Sequence, residues 1–258
     1  MQGYGGGVGA IARSGRGQVV PTGCRSSVVL TAVAVLLAAG AAITSVRWWL
    51  TRVDSLGRTH AFPAWSVAGL VVLAVAAGTP QLLRARLEHR LQTVATTLVG
   101  KPVDVRCQSF GQSMVDAGME LGWVAYDPSG TPLPETLIKR EPCADLADYL
   151  SSDRRSPSRD QVVAVHVLTH ESMHMVGIVD EARAECAAVQ RDAWTARLLG
   201  SSDEQARRLS ARYWHEVYPT LHEEYRSGDC GPSSALDEGR TDAPWSLAAP
   251  ADDSGPSH

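Results

Sequence analysis

The chain has 258 residues, with 24 Lys and Arg against 28 Asp and Glu, giving a formal net charge of −4. That balance excludes the basic surplus of a nucleic-acid-binding domain. Five cysteines are too few for a disulfide scaffold, and 23 Gly and 14 Pro, unevenly spread, rule out one uniform globule.

Residues 1–27 are rich in Gly, Ser and Arg without apolar periodicity, and read as a flexible tail. Val28–Val46 then runs 19 residues without a charge, long enough to cross a hydrocarbon core of about 30 Å. Arg47-Trp48-Trp49 closes it with a charge and an interfacial aromatic pair. Ala61–Leu83 is a second uncharged run, with Trp65 near its start and Arg84, Arg86 and Arg90 after it. Two spans joined by a short loop predict a transmembrane hairpin (28–46 and 61–83), with both chain ends on one side. A cleavable signal peptide fits less well, because Val28–Val46 is too long and starts too late.

Two signals disagree about the side. Arg13, Arg16, Arg25, Arg84, Arg86 and Arg90 flank the hairpin, against Arg47, Arg52 and Arg58 in its loop, which favours cytoplasmic ends. Cys107, Cys143, Cys186 and Cys230 fall in the polar part, an even number suited to two disulfides in an oxidising compartment. The cysteines tip the reading towards an extracytoplasmic polar domain.

That domain is expected over residues 84–228. Leu87, Leu91, Val94 and Leu98 recur at helical spacing in a stem, Arg84–Val99. Val103–Phe110 and Gly122–Tyr126 read as strands, Asp127-Pro128-Ser129-Gly130 as a turn, and Glu135–Lys139 as a returning strand. A short helix at Pro142–Leu150 precedes three helical segments, Asp160–Val176, Glu181–Leu199 and Ser202–Arg226. Residues 229–258 are Gly, Pro, Ser, Asp and Ala in the main, and are expected to be disordered.

The chemistry is concentrated in Val162–Asp180. His170-Glu171-Ser172-Met173-His174 is HExxH, and chance would produce it about once in a hundred chains of this composition. Residues four apart on an α-helix lie about 40° apart around its axis, so both imidazoles point one way and can grip one zinc ion. Glu171 sits about 60° further round, within reach of a water on the metal, whose proton it can take as general base. The helix is otherwise apolar, and burying His, Glu and His in it costs energy unless they are paired or bound to metal. His166 extends the row, but three positions spanning about 12 Å of helix cannot all reach one ion. It reads as a supporting or packed histidine.

The motif resembles that of the zincin metallopeptidases over some 25 residues. Gly177 and Asp180 complete HExxHxxGxxD, similar to the metzincin pattern with Asp in place of the third His, although no Met follows Met175 to form that family's Met-turn. Asp180 is also a good N-cap for a helix starting at Glu181. If Asp160–Val176 and Glu181–Leu199 pack antiparallel, Glu185 comes level with the middle of the motif, which resembles the gluzincins and implies Glu185 as third ligand. Glu181 as ligand with Glu185 behind it stays open, as do Asp180 and the distant His215 and His222. The resemblance also implies a Tyr or His that stabilises an oxyanion; Tyr213, His215, Tyr218 and Tyr225 are candidates by position alone, each reading first as an ordinary amphipathic-helix residue. Cys186, next to Glu185, reads as a disulfide partner for Cys230 or a packed thiol, with a thiolate ligand as the remaining alternative.

These readings together imply an α+β, mostly helical zincin-like domain behind an N-terminal two-helix transmembrane hairpin. The resemblance implies a zinc metallopeptidase acting on a peptide or protein substrate, with His170, His174 and Glu185 on the Zn2+ and Glu171 activating water. The alternatives are a zinc-binding module without proteolysis and a non-catalytic membrane docking protein.

Overall fold

The computed structural model describes residues 24–113 and 120–246, apart from Asp54 and Leu56. The chain divides into two units, with the boundary between Leu87 and Glu88. The expected tail therefore lies outside the described residues up to position 23.

In the first unit, helix α1 (Cys24–Thr51) and the opening part of helix α2 (Ala64–Val99) run antiparallel. Ala34 lies beside Gly78 and Gly40 beside Leu70, so small residues bring the backbones together. The loop is closed by Trp48, whose Nε1 donates to the His60 carbonyl at 3.0 Å, and by a bridge between Val53 and Thr59. Both helices are long and apolar enough to cross a membrane. Their apolar side chains are largely uncovered: Leu36 is 70% exposed, Leu50 69% and Val72 65%. An apolar surface of that extent on two adjoining helices is costly in water and suited to lipid.

The second unit is mostly helical around a small sheet. The end of α2 turns Leu91, Val94, Ala95 and Leu98 into its core, the face read from the sequence. Strands β1 (Asp104–Cys107), β2 (Gly122–Tyr126) and β3 (Pro132–Ile138) lie in the order β1–β3–β2. β1 is parallel to β3 and β2 antiparallel to it, joined through the Asp127–Gly130 turn, where Asp127 accepts from the N–H groups of Ser129 and Thr131. A single helical turn, α3 (Phe110–Ser113), follows β1. Helix α4 (Arg140–Ser151) leaves β3 directly, and the Cys107–Cys143 disulfide ties it back to β1.

Helix α5 (Arg159–Val176) is the centre of the unit and packs on α4, β2 and β3. Its Val162, Ala164, Val165, Val167 and Leu168 are fully buried. The expected helix Glu181–Leu199 is two helices, α6 (Glu181–Val189) and α7 (Asp192–Leu198), broken at Gln190-Arg191. The expected helix Ser202–Arg226 ends early as well. Helix α8 (Asp203–Arg212) gives way to a π-helical turn at Tyr213–Val217 and a 3₁₀ turn at Tyr218–Thr220, where Pro219 cannot donate to a continuing ladder.

The expected disorder after residue 228 fails for residues 229–246. That segment is fastened to α6 and α7 by the Cys186–Cys230 disulfide and by Gln190, which donates to the Leu236 carbonyl and accepts from the Glu238 N–H. Arg191–Glu238 and Arg197–Asp242 ion pairs add to it. A composition poor in apolar residues had concealed these specific polar anchors. Residues 247–258 lie outside the described residues.

Candidate metal centre

Helix α5 is fixed at both ends. Ser158 and Gln161 form a reciprocal capping box at its start. At its end Gly177 takes φ +116°, a left-handed conformation that a side chain would strain. The turn it makes brings the Ile178 carbonyl back to His174, whose Nδ1 donates to it at 2.7 Å. Asp180 then caps α6, accepting from the Arg183 N–H at 2.9 Å.

This short connection lays α6 against the inner face of α5. His170 Nε2 and His174 Nε2 lie 3.0 Å apart, and Glu181 Oε2 is 3.3 Å from the first and 3.2 Å from the second. The Nδ1–H groups of these histidines are committed elsewhere, to Glu185 and to Ile178, so neutral rings present bare Nε2 lone pairs. Two nitrogen lone pairs and a carboxylate oxygen thus converge with no proton to share, an arrangement that calls for a cation. Three donors at about 2.0–2.1 Å from one tetrahedral ion stand about 3.3–3.4 Å apart, close to the triangle seen here. These residues fit a divalent metal. Without one, protons supply the charge. Burial opposes protonation of His170, but its bonds to Glu181 and Glu185 raise it to about 10. Burial likewise opposes ionisation of Glu181, yet the two histidines hold it down at about 2.

The other side of His170 is closed by hydrogen bonds. His170 Nδ1 donates to Glu185 Oε2 at 3.0 Å, and the same oxygen accepts from His166 Nε2 at 2.9 Å. Tyr213 donates to Glu185 Oε1 at 2.8 Å. His166 Nδ1 meets Asp192 Oδ2 at 2.9 Å. His166, His170, Glu185 and Asp192 have no exposed surface at all. Burial works against charging His166, and Asp192 and Glu185 overcome it, raising it to about 9.

Glu171 is as deeply buried, but neither of its carboxylate oxygens has a hydrogen-bond partner among the described residues. The nearby Thr136 hydroxyl is committed to the Trp123 carbonyl at 3.0 Å. Burial pushes the Glu171 carboxyl up to about 7, with His174 and His170 pulling the other way. Its neighbour on β2 is Gly122, where a Cβ would stand 2.8 Å from Oε1. An orphaned buried carboxylate is costly, and here it lies on the helix that carries the two histidines of the triangle.

His170 and His174 are brought together at their Nε2 atoms, and Glu171, next to His170 on α5, lies against Gly122 of β2. Glu185, expected to complete the ligand set, meets the Nδ1 side of His170, while Glu181 lies on the Nε2 side with His174. Asp180 is occupied as a cap. His215 and His222 are exposed and belong to neither His–carboxylate cluster found among the described residues. Tyr218 is bonded to the backbone of Ser227. Sequence reasoning missed Asp192 and the use of Tyr213, and nothing local in the sequence signals either: the helix break that places Asp192 is itself not written in Gln190-Arg191. No family model matches the chain, and no curated protein or solved structure matches it.

Proposed function

We propose that this protein is a membrane-anchored zinc metallopeptidase with a zincin-like polar domain, in which His170, His174 and Glu181 hold the metal and Glu171 is the general base. The observation that carries the reading is the donor triangle with 3.0–3.3 Å edges, two of whose donors share helix α5 with a buried carboxylate that has no hydrogen-bond partner among the described residues. Zinc suits two imidazoles and one carboxylate, and when bound supplies Lewis-acid polarisation and lowers the pKa of a water to about 7. Glu171 accepts the proton of the attacking water as its oxygen bonds to the peptide carbonyl carbon. It then gives that proton to the amine nitrogen as the C–N bond breaks. Glu185 keeps His170 in the tautomer that leaves Nε2 free. The two disulfides support an extracytoplasmic polar domain, with the hairpin putting the N-terminus on the same side.

Depth favours a second reading, a zinc-binding module without proteolysis. His170 and Glu171 have no exposed surface, His174 has 3%, and Glu181 is the most open of the four, its side chain 18% exposed. One comparison separates the two. In the full chain, Glu171→Gln is expected to keep one zinc, by metal analysis, and to lose peptide cleavage by about 10²–10⁴-fold. Zinc bound with no cleavage in the parent favours the module, and a parent without zinc removes both readings.

A further inference from the structure

The metal reading uses one side of His170; the other side carries a second construction of its own. Glu185 has a fully buried carboxylate, which costs several kcal/mol unless its charge is paired and its lone pairs are used. Three donors use them: His170 and His166 share Oε2, and Tyr213 takes Oε1. His166 faces a carboxylate from each ring nitrogen, and an imidazole that donates from both is the cation. The row Asp192–His166–Glu185 therefore alternates in sign and ends on the His170 ring, running from a carboxylate that touches no metal donor up to the ligand itself.

We propose that His166, Asp192 and Tyr213 are positioning residues for the metal ligand His170, acting through Glu185. The proposal rests on the reading of His170 as a ligand. Glu185 alone cannot do the work, since without the His166 cation and the Tyr213 hydroxyl its buried carboxylate would be under-satisfied and would turn. That turn removes the acceptor that fixes the His170 ring. The frame is itself braced. Tyr213 lies flat on His166, ring centroids 3.7 Å apart and planes 11° apart. It stands at the first position of the π-helical turn, a local distortion that proteins keep where a side chain must be re-aimed. The break at 190–191 puts Asp192 at the first turn of α7, facing the distal nitrogen of His166.

A second metal ion among His166, His170 and Glu185 is the competing explanation, because these residues also cluster within 4.8 Å. It is the weaker one. A single carboxylate oxygen faces both nitrogens at 2.9 and 3.0 Å, ordinary N–H···O distances that protons already explain.

The test uses the full chain in detergent, as wild type, Asp192→Asn and Tyr213→Phe. Zinc affinity is measured by chelator competition, the visible spectrum after cobalt(II) substitution, and the thermal midpoint without metal. We expect both variants to bind one metal about 10–100-fold more weakly than wild type, with displaced cobalt bands. A purely structural role would lower the midpoint while leaving the affinity and the cobalt spectrum unchanged, and that result overturns the proposal. If Asp192→Asn does not fold, Tyr213→Phe, which removes one hydroxyl, decides alone. Wild type that takes up neither metal refutes the metal reading itself, a distinct outcome from variants that bind like wild type. Two metals in wild type and one in each variant would support the second ion instead.

Discussion

The two sides of His170 are built from the same residue types to opposite effect. On the Nδ1 side every polar atom of Glu185 and both nitrogens of His166 are matched by a donor or acceptor. On the Nε2 side two ring nitrogens and the Glu181 oxygen converge and need a metal or a proton between them, and Glu171 has no hydrogen-bond partner among the described residues. A buried polar cluster can be satisfied internally or can be left short of a cation. Glu185 and His166 show that this chain can satisfy a buried His–Glu pair, although Asp192 Oδ1 at the end of the row has no partner among the described residues; Glu171, with both oxygens unmatched, is the larger shortage.

The sharpest way to break the comparison is to exchange the two glutamates' roles in experiment. Glu181→Gln is expected to lose metal by far more than the about 10–100-fold expected of Glu185→Gln, measured by zinc titration. Equal losses, or a larger loss at Glu185, would restore Glu185 as ligand.

Next in size is a pH effect on the metal-free protein. His166 and His170 are raised from 6.5 to about 9 and about 10, so their stabilisation is complete below pH 6.5 and is lost as pH rises through 9–10. Glu181 and Glu185 are lowered from 4.5 to about 2, so theirs is present above pH 4.5 and lost as pH falls towards 2. The thermal midpoint without metal should fall between pH 6.5 and 10. Saturating zinc should flatten that fall, because His170 then has no proton to lose. A metal-free midpoint that stays level over this range contradicts the assignment.

Gly122→Ala probes the unsatisfied side alone. A methyl group 2.8 Å from Glu171 Oε1 must displace a side chain with nowhere exposed to go, at a cost of about 1–3 kcal/mol in unfolding free energy. Peptide cleavage should fall with zinc retained. The smallest effect is expected for Asp180→Ala, which removes a helix cap worth about 1 kcal/mol and leaves zinc stoichiometry unchanged. Loss of zinc would make Asp180 a ligand.

Much of this was legible in the residues, and the limits have physical causes. Helix α5 announces itself through its apolar run and Gly177, and β2 through the Trp, Val and Tyr of Gly122–Tyr126, whereas the Ser158 cap that starts α5 was not read. HExxH marks the inner face of α5 because a four-residue step nearly repeats the helix angle. The assignment between Glu181 and Glu185 was not readable, since both lie on one face of α6. The angle at which α6 enters depends on the Gly177 turn and the Ile178 carbonyl, which a level-by-level count of positions ignores. The break before Asp192 escaped notice because Gln190 and Arg191 are ordinary helix formers. Their side chains are drawn off to Leu236 and Glu238, contacts 46 and 47 residues distant. The same remote contacts order residues 229–246, whose composition gives no hint of them.

The Cys186–Cys230 bridge closes a ring of chain, its cysteines 44 positions apart, that contains α7, α8 and the π-helical turn. His170, His174, Glu181 and Glu185 all precede the ring, and Tyr213 lies within it. A single backbone cut anywhere from 187 to 229 would leave one covalent particle, which migrates as the intact chain until reductant is added. The donors of the triangle and the hydroxyl that braces them would stay linked through the sulfur atoms, so a nicked molecule and a whole one differ in electrophoresis only under reducing conditions.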